Sequence, residues 1–371
     1  MKISAVFIMV LIMFFTLPVC TLSAEEDFSS ETEQINEILD ESSGGLVSEN
    51  NIGVDNAENL IKSDIKGFFR WVSGKICSEI SAPFRLFIIL FSVILLSSLS
   101  SGMYLSGRKI CGQNTAQMIS VLVSVSVISE TAGKSIDEAC TLISDGSMFM
   151  LSFVPVMSGV MAAQGNVTSA TSYQLLTAGI CEIFAQISSS VFVPFLSVCF
   201  SISIVDAVNP GLSLDGIIRG IKKTVTVLLG LTMTIFSGLL ALRNTVGAAA
   251  DSLTVKTGKY LVSNLVPVVG KAVSDAYSSV RGSVGVLRTG VGSTGIAVII
   301  VMAAAPVIRL LLYMFVMESA GIISDIFGCQ RLKKLFSDIS VIYGLMLGTV
   351  TVFIVLLLTS AAVVMRSYTG E

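Results

Sequence analysis

Residues 294–317 read TGIAVIIVMAAAPVIRLLLYMFVM, and residues 341–365 read VIYGLMLGTVTVFIVLLLTSAAVVM. A bilayer crossing needs roughly 20 consecutive apolar residues in an α-helix, and both runs satisfy it. In lipid every backbone N–H and C=O must be paired within the segment, so such runs fold as helices. Working outward, the same pattern recurs at Phe84–Leu105, Ile183–Val205 and Thr224–Leu242. Two shorter apolar runs, Ala116–Ser129 and Met148–Ala163 with Pro155 inside it, read as a thin or re-entrant crossing and a further span. The expected fold class is all-α, a polytopic transmembrane helical bundle behind an N-terminal signal peptide.

Composition supports lipid as the solvent. Of 371 residues, 53% are hydrophobic and 13% charged, and the mean hydropathy is +0.85, outside the balance of water-soluble domains. The net charge of −3 offers no broad basic surface for nucleic acid. The chain has no histidine, which removes Ser-His-Asp and Cys-His catalysis, imidazole metal ligation and the usual physiological pH switch. Its seven cysteines are scattered without CxxC pairing and read mostly as small apolar helix residues. No carboxylate pair, EF-hand loop or HExxH motif anchors an active site, so no enzyme activity and no cofactor are expected.

Residues 1–24 carry Lys2, an apolar run from Val6 to Val19, and Leu22-Ser23-Ala24 before an acidic stretch. This is the layout of a cleavable signal peptide, with an uncleaved anchor as the alternative. Residues 25–83 form an exported acidic linker followed by an amphipathic segment. The linker holds many Asp and Glu and no Lys or Arg as far as Leu60, the composition of a solvated tail or of a docking segment. Between Leu60 and Arg85, Ile61, Ile65, Phe68 and Val72 recur at helical spacing beside Lys62, Lys66 and Arg70, with Trp71 at headgroup depth.

Residues 84–242 are expected to hold about five transmembrane helices, and 294–371 about two. Orientation is not settled by charge. With an exported N-terminus and seven crossings, Arg108 and Lys109 fall on the cytoplasmic side, as does the long loop bearing Lys256, Lys259, Lys271, Arg281 and Arg288. Arg219, Lys222 and Lys223 then fall on the exported side, as do Arg331, Lys333 and Lys334, against the positive-inside bias.

Residues 243–293 are too polar to span yet patterned with Leu, Val and Tyr. The run Asn264-Leu265-Val266-Pro267-Val268-Val269-Gly270 breaks them into two amphipathic helices. Such a pair sits either as a re-entrant hairpin lining a cavity or as an interfacial helical loop. Gly282, Gly285, Gly290, Gly292 and Gly295 lack the GxxxxGK[ST] pattern of a phosphate loop, and their spacing suits close helix packing. Arg309 lies three residues after Pro306 inside an apolar run. An unpaired charge there costs about 2.5–3.5 kcal/mol on insertion scales. Glu182, Glu318 and the carbonyl freed by Pro306 are its candidate partners. Arg309 is either a cavity-facing or assembly-facing cation, or a snorkelling side chain.

The stretch Thr254–Gly295, TVKTGKYLVSNLVPVVGKAVSDAYSSVRGSVGVLRTGVGSTG, resembles the signature region of the stage III sporulation protein AE family. Lys256-Thr257, Lys259, Pro267-Val268-Val269-Gly270 and Ser274-Asp275-Ala276 carry the resemblance, as do Pro306 and Arg309, where the family tends to have Lys. It is sequence-specific from about Thr224 onward; Met314 and the basic Arg331–Lys334 run depart from it. The resemblance implies a non-enzymatic membrane subunit of a sporulation channel complex in the mother-cell membrane around the forespore. The partners it implies are the other stage III A-operon proteins, including a cytoplasmic ATPase and ring-forming subunits, and indirectly stage II sporulation protein Q, within an oligomer in lipid. Candidate channel or assembly residues are Lys256, Lys259, Asn264, Pro267, Gly270, Asp275, Pro306 and Arg309. Two other readings stand beside it. A small-solute permease would use Arg309 and the Pro267–Gly270 break, and a membrane scaffold or receptor would act through the acidic tail.

Overall fold

The computed structural model describes residues 73–103, 112–209, 216–239 and 270–366. The signal peptide, the acidic linker and the Pro267 break lie outside them. The described residues are helical almost throughout, with no strand among them. A short helix at 73–79 runs into α1, Ser81–Met103. Then come α2, Gly112–Ala163, α3, Val167–Ile187, α4, Val193–Val208, and α5 at 216–239. The chain ends in α6, Gly270–Ile326, and α7, Gln330–Arg366. Five helical rods among the described residues are long and apolar enough to cross a membrane: Ser81–Ser100, Gln117–Ala163, Val167–Val208, Arg288–Ile326 and Gln330–Val363. The protein is an all-helical membrane protein.

The short runs 116–129 and 148–163 are not two crossings but the two ends of the single 52-residue α2. The polar stretch between them stays helical because Ala132, Ser135, Ala139, Leu142 and Ile143 keep a buried face at helical spacing. Likewise 167–208 is one rod in which α3 passes into α4 through a π-helical turn, Ser188–Phe192. Pro194 cannot donate to the carbonyl four residues before it. The turn widens instead, and Val193 N–H bonds to Ser188 O, five residues back. The Gly282–Gly295 run lies within α6, continuous with the Arg309 span; no turn interrupts it after Gly270.

Serine and threonine are frequent in these apolar helices, and most such hydroxyls are satisfied on their own helix. Ser92, Ser126, Ser201, Ser203 and Thr349 each donate to the carbonyl four residues before them. This makes a Ser-rich segment tolerable in lipid.

Two helical hairpins frame the bundle, and their turns share one geometry. After α2, Gly165 takes φ 83°; its N–H bonds to Ala162 O at 2.9 Å and that of Asn166 to Met161 O at 3.1 Å. After α6, Gly328 takes φ 73°; its N–H bonds to Asp325 O at 3.0 Å and that of Cys329 to Ser324 O at 2.8 Å. Both are Schellman caps, which place a left-handed residue just past the helix. The α2/α3 hairpin packs against α6/α7, and α7 is the axis of the core. Phe336, Ile339, Tyr343, Val350, Phe353 and Leu356 on α7 have no measurable exposure.

Close approach of the helices, between the hairpins and within the α6/α7 hairpin, rests on glycine. A Cβ on Gly295 would collide with the Phe153 ring; one on Gly146 would lie 2.7 Å from Phe353, and one on Gly292 2.5 Å from Met365. These contacts fix α2 and α6 as antiparallel neighbours.

Candidate functional site

Pro306 lacks an N–H, so the Met302 carbonyl one turn earlier has no partner in the α6 ladder. One turn beyond, Arg309 and Tyr313 share a face. The guanidinium is gripped by two carboxylates from other elements. Its Nε and Nη2 both donate to Glu79 Oε2 at 2.7 Å, and Nη1 donates to Glu138 Oε1. Neither Glu182 nor Glu318 is the partner; both are exposed. The Arg309 side chain is 31% exposed, Glu79 19% and Glu138 37%. Half-buried geometry with forked, charge-assisted bonds is the arrangement in which arginine outperforms lysine.

The clamp joins three elements: the helix before α1, the middle of α2, and α6. On α2 the charged row continues outward, with Lys134 Nζ 2.6 Å from Glu130 Oε1 and both well exposed. Behind the clamp, the Tyr313 ring packs on Tyr343 of α7 at 5.6 Å between centroids.

Two further polar ties cross the bundle at other levels. Asp206, near the end of α4, has a carboxylate with no exposure, paired to Lys334 Nζ of α7 at 2.7 Å. At the opposite end Arg288, 1% exposed, donates from Nη1 to Gln164 Oε1 beside the Gly165 turn at 2.9 Å. A Thr177–Ser360 hydroxyl bond of 3.2 Å ties α3 to α7 between them. The set positions helices and contains no nucleophile–base pair; its chemistry is electrostatic.

Of the residues singled out in the sequence, Pro306 and Arg309 lie at the clamp. Gly270 and Asp275 lie in the first two turns of α6, well before Arg309. Lys256, Lys259, Asn264 and Pro267 lie outside the described residues. Glu79, Glu138, Asp206, Gln164 and the burial of Arg288 were missed. Asp206 was legible in principle, as a lone acid in the apolar run FSISIVDAV. Glu138 sits between the two short apolar runs 116–129 and 148–163, and Glu79 in a segment read only as amphipathic.

Comparison with known proteins bears on what this bundle is. The family described as Stage III sporulation protein AE (spore_III_AE) matches residues 50–367, which takes in the clamp, both hairpins and the segment 240–269. A Bacillus subtilis (strain 168) relative named Stage III sporulation protein AE is 24% identical over 189 residues, covering 51% of this chain and 47% of the relative. The chain thus aligns with about half the length of that curated relative. No solved structure matches. With the match extending over most of the chain, including every candidate spanning helix, this chain belongs to the stage III sporulation protein AE family.

Proposed function

We propose that this protein is a non-enzymatic membrane subunit of a sporulation-specific, secretion-like channel complex joining mother cell and forespore. It sits in the mother-cell membrane that surrounds the forespore and supports late forespore gene expression. The observation that carries this reading is the family match across residues 50–367, because it covers the helical bundle as a whole. The clamp fits the role. Glu79 belongs to the segment that precedes the first span, and Arg309 fastens that segment to the core. The partners are the other stage III A-operon proteins, with the cytoplasmic ATPase and ring-forming subunits among them, and through these stage II sporulation protein Q. The bundle works as part of an oligomer.

The test is sporulation in a strain lacking this protein, complemented with wild type or Arg309→Ala, following forespore size and a late forespore reporter. The expected result is completed engulfment, then forespore shrinkage and loss of late expression, restored by wild type and poorly by Arg309→Ala. Normal sporulation in the null strain overturns the proposal.

A further inference from the structure

Two exposed carboxylates lie level with the middle of the most apolar span. Phe353 is the central residue of the uncharged run 341–365 on α7. An added Cβ on Gly146 of α2 would lie 2.7 Å from its ring, and Phe184 of α3 stacks on that ring at 5.2 Å between centroids. Asp145 directly precedes Gly146, and Glu182 comes just before Phe184 on the same turn of α3. Both acids are exposed, and among the described residues no ion pair engages either.

The acids stand in one polar face. Helices α2 and α3 lie side by side here, with Ser147 Oγ donating to Cys181 O at 3.5 Å. Both turn their buried sides to α7, through the Gly146–Phe353 approach and the Thr177–Ser360 bond. Their exposed residues therefore point away from α7 on one side of the hairpin. On α2 this side continues from Asp145 to Thr141 and Asp137, one and two turns earlier; on α3 it continues from Glu182 to Gln186 and Ser189, one and two turns later. Because the helices are antiparallel, the two rows extend in the same direction and stay abreast.

Hydroxyls alone would be tolerated in lipid, since they donate to their own helix, as Ser189 does to Gln186 O at 3.2 Å. A carboxylate has no proton to donate in that way. Ionisable side chains at membrane depth face a protein interior or a water-filled cavity, because exposure to hydrocarbon is costly. Lys134, further along the α2 row, is held by Glu130 at 2.6 Å, so the net charge of the face is negative.

We infer that this face of the α2/α3 hairpin lines the central part of a water-filled passage across the membrane, and that Asp145 and Glu182 make the passage favour cations over anions. The inference rests on the channel reading above and names the surface that serves it. Each copy in an oligomer contributes the same face, so protein rather than lipid encloses the water. Acidic side chains around a pore select cations in this way.

Full-length protein carrying Thr141→Cys or Gln186→Cys tests the passage, with Leu96→Cys, 65% exposed on the apolar α1, as the lipid-facing control. Membranes from sporulating cells are opened by freezing and thawing, so that reagents reach both faces. They are treated with a cationic or an anionic methanethiosulfonate, and modification is read at each site by peptide mass spectrometry, so the native thiols stay in place. Positions 141 and 186 are expected to react with both reagents and position 96 with neither. Normalised to a free thiol, the cationic reagent is expected to be several-fold faster at 141 and 186, and Asp145→Asn with Glu182→Gln to remove that preference. No reaction at 141 and 186 means that lipid or a neighbouring protein covers the face, and overturns the passage. Reaction without a cationic preference, or a preference that survives the double neutral variant, overturns the role of the carboxylates. Normal sporulation of the null strain, with both positions still reactive, counts against the sporulation complex and not against the passage.

Discussion

Arg309 and Glu79 lie 230 positions apart in sequence, yet the guanidinium places two nitrogens on one carboxylate oxygen at 2.7 Å each. Glu138 takes a third nitrogen from the other side. One cation thus fixes the helix before α1 to α2 and α6 at once. Because the residues are only partly buried, the clamp is worth less than a fully desolvated pair and more than a free surface one.

The two acids should therefore contribute unequally. Glu79 receives two of the three bonds and is the less exposed, so Glu79→Ala is expected to weaken the fold more than Glu138→Ala. A double-mutant cycle between Glu79→Ala and Arg309→Ala should show a coupling of about 1–3 kcal/mol. Thermal unfolding of the purified protein in detergent, followed by size-exclusion chromatography, measures it. Additive losses would mean that the pair does not act as a unit.

Raising the salt concentration checks the same point. Glu130 and Lys134 are both well exposed, so Glu130→Ala is expected to leave the unfolding midpoint unchanged at low and at high salt, while Glu79→Ala lowers it.

The pair at the other level has one fully buried member and makes its own prediction. Asp206 has no side-chain exposure and meets Lys334 at 2.7 Å. Lys334 is itself 34% exposed, so Lys334→Met, which takes this cation away from the buried Asp206 carboxylate, is expected to cost about 1–3 kcal/mol. Replacing both, with Asp206→Leu and Lys334→Met, should recover most of that loss, because neither charge then remains. The same detergent unfolding assay reads both variants. A double variant as unstable as Lys334→Met alone would mean that the loss comes from packing rather than charge.

The sequence displayed these features unevenly, for physical reasons. Runs such as 294–317 and 341–365 announce helices because lipid allows an isolated apolar segment no other structure. The continuity of α2 was hidden because Glu130–Asp145 reads as a polar break. Only with neighbours in place does its face of Ala132, Ser135, Ala139 and Leu142 become a buried stripe. The need for a partner at Arg309 was legible from burial cost alone. Its identity was not, since Glu79 and Glu138 come close only through the α1/α2 and α2/α6 packing. Within the glycine run, Gly292 and Gly295 are packing surface, with the spacing that lets two helices approach, whereas an added Cβ on Gly282 would meet nothing within 4 Å.

That spacing yields a contrast between glycines of one sequence type in two environments. A Cβ at Gly295 would overlap the Phe153 ring, itself fully buried and stacked on Phe149 at 5.5 Å. The ring cannot swing aside into open space, so Gly295→Ala must push α6 away from α2. Overpacking of a close-packed core costs about 1–3 kcal/mol, and Gly295→Leu should exceed this and abolish assembly. Gly159 lies on α2 with nothing within 4 Å of its added Cβ. There Gly159→Ala removes only backbone freedom and should stabilise α2 by up to about 1 kcal/mol. Comparing the two alanine variants by detergent unfolding separates contact from propensity. Helix propensity alone predicts a gain at both sites, whereas the packing geometry predicts opposite signs, with the loss at Gly295 partly relieved by Phe153→Leu.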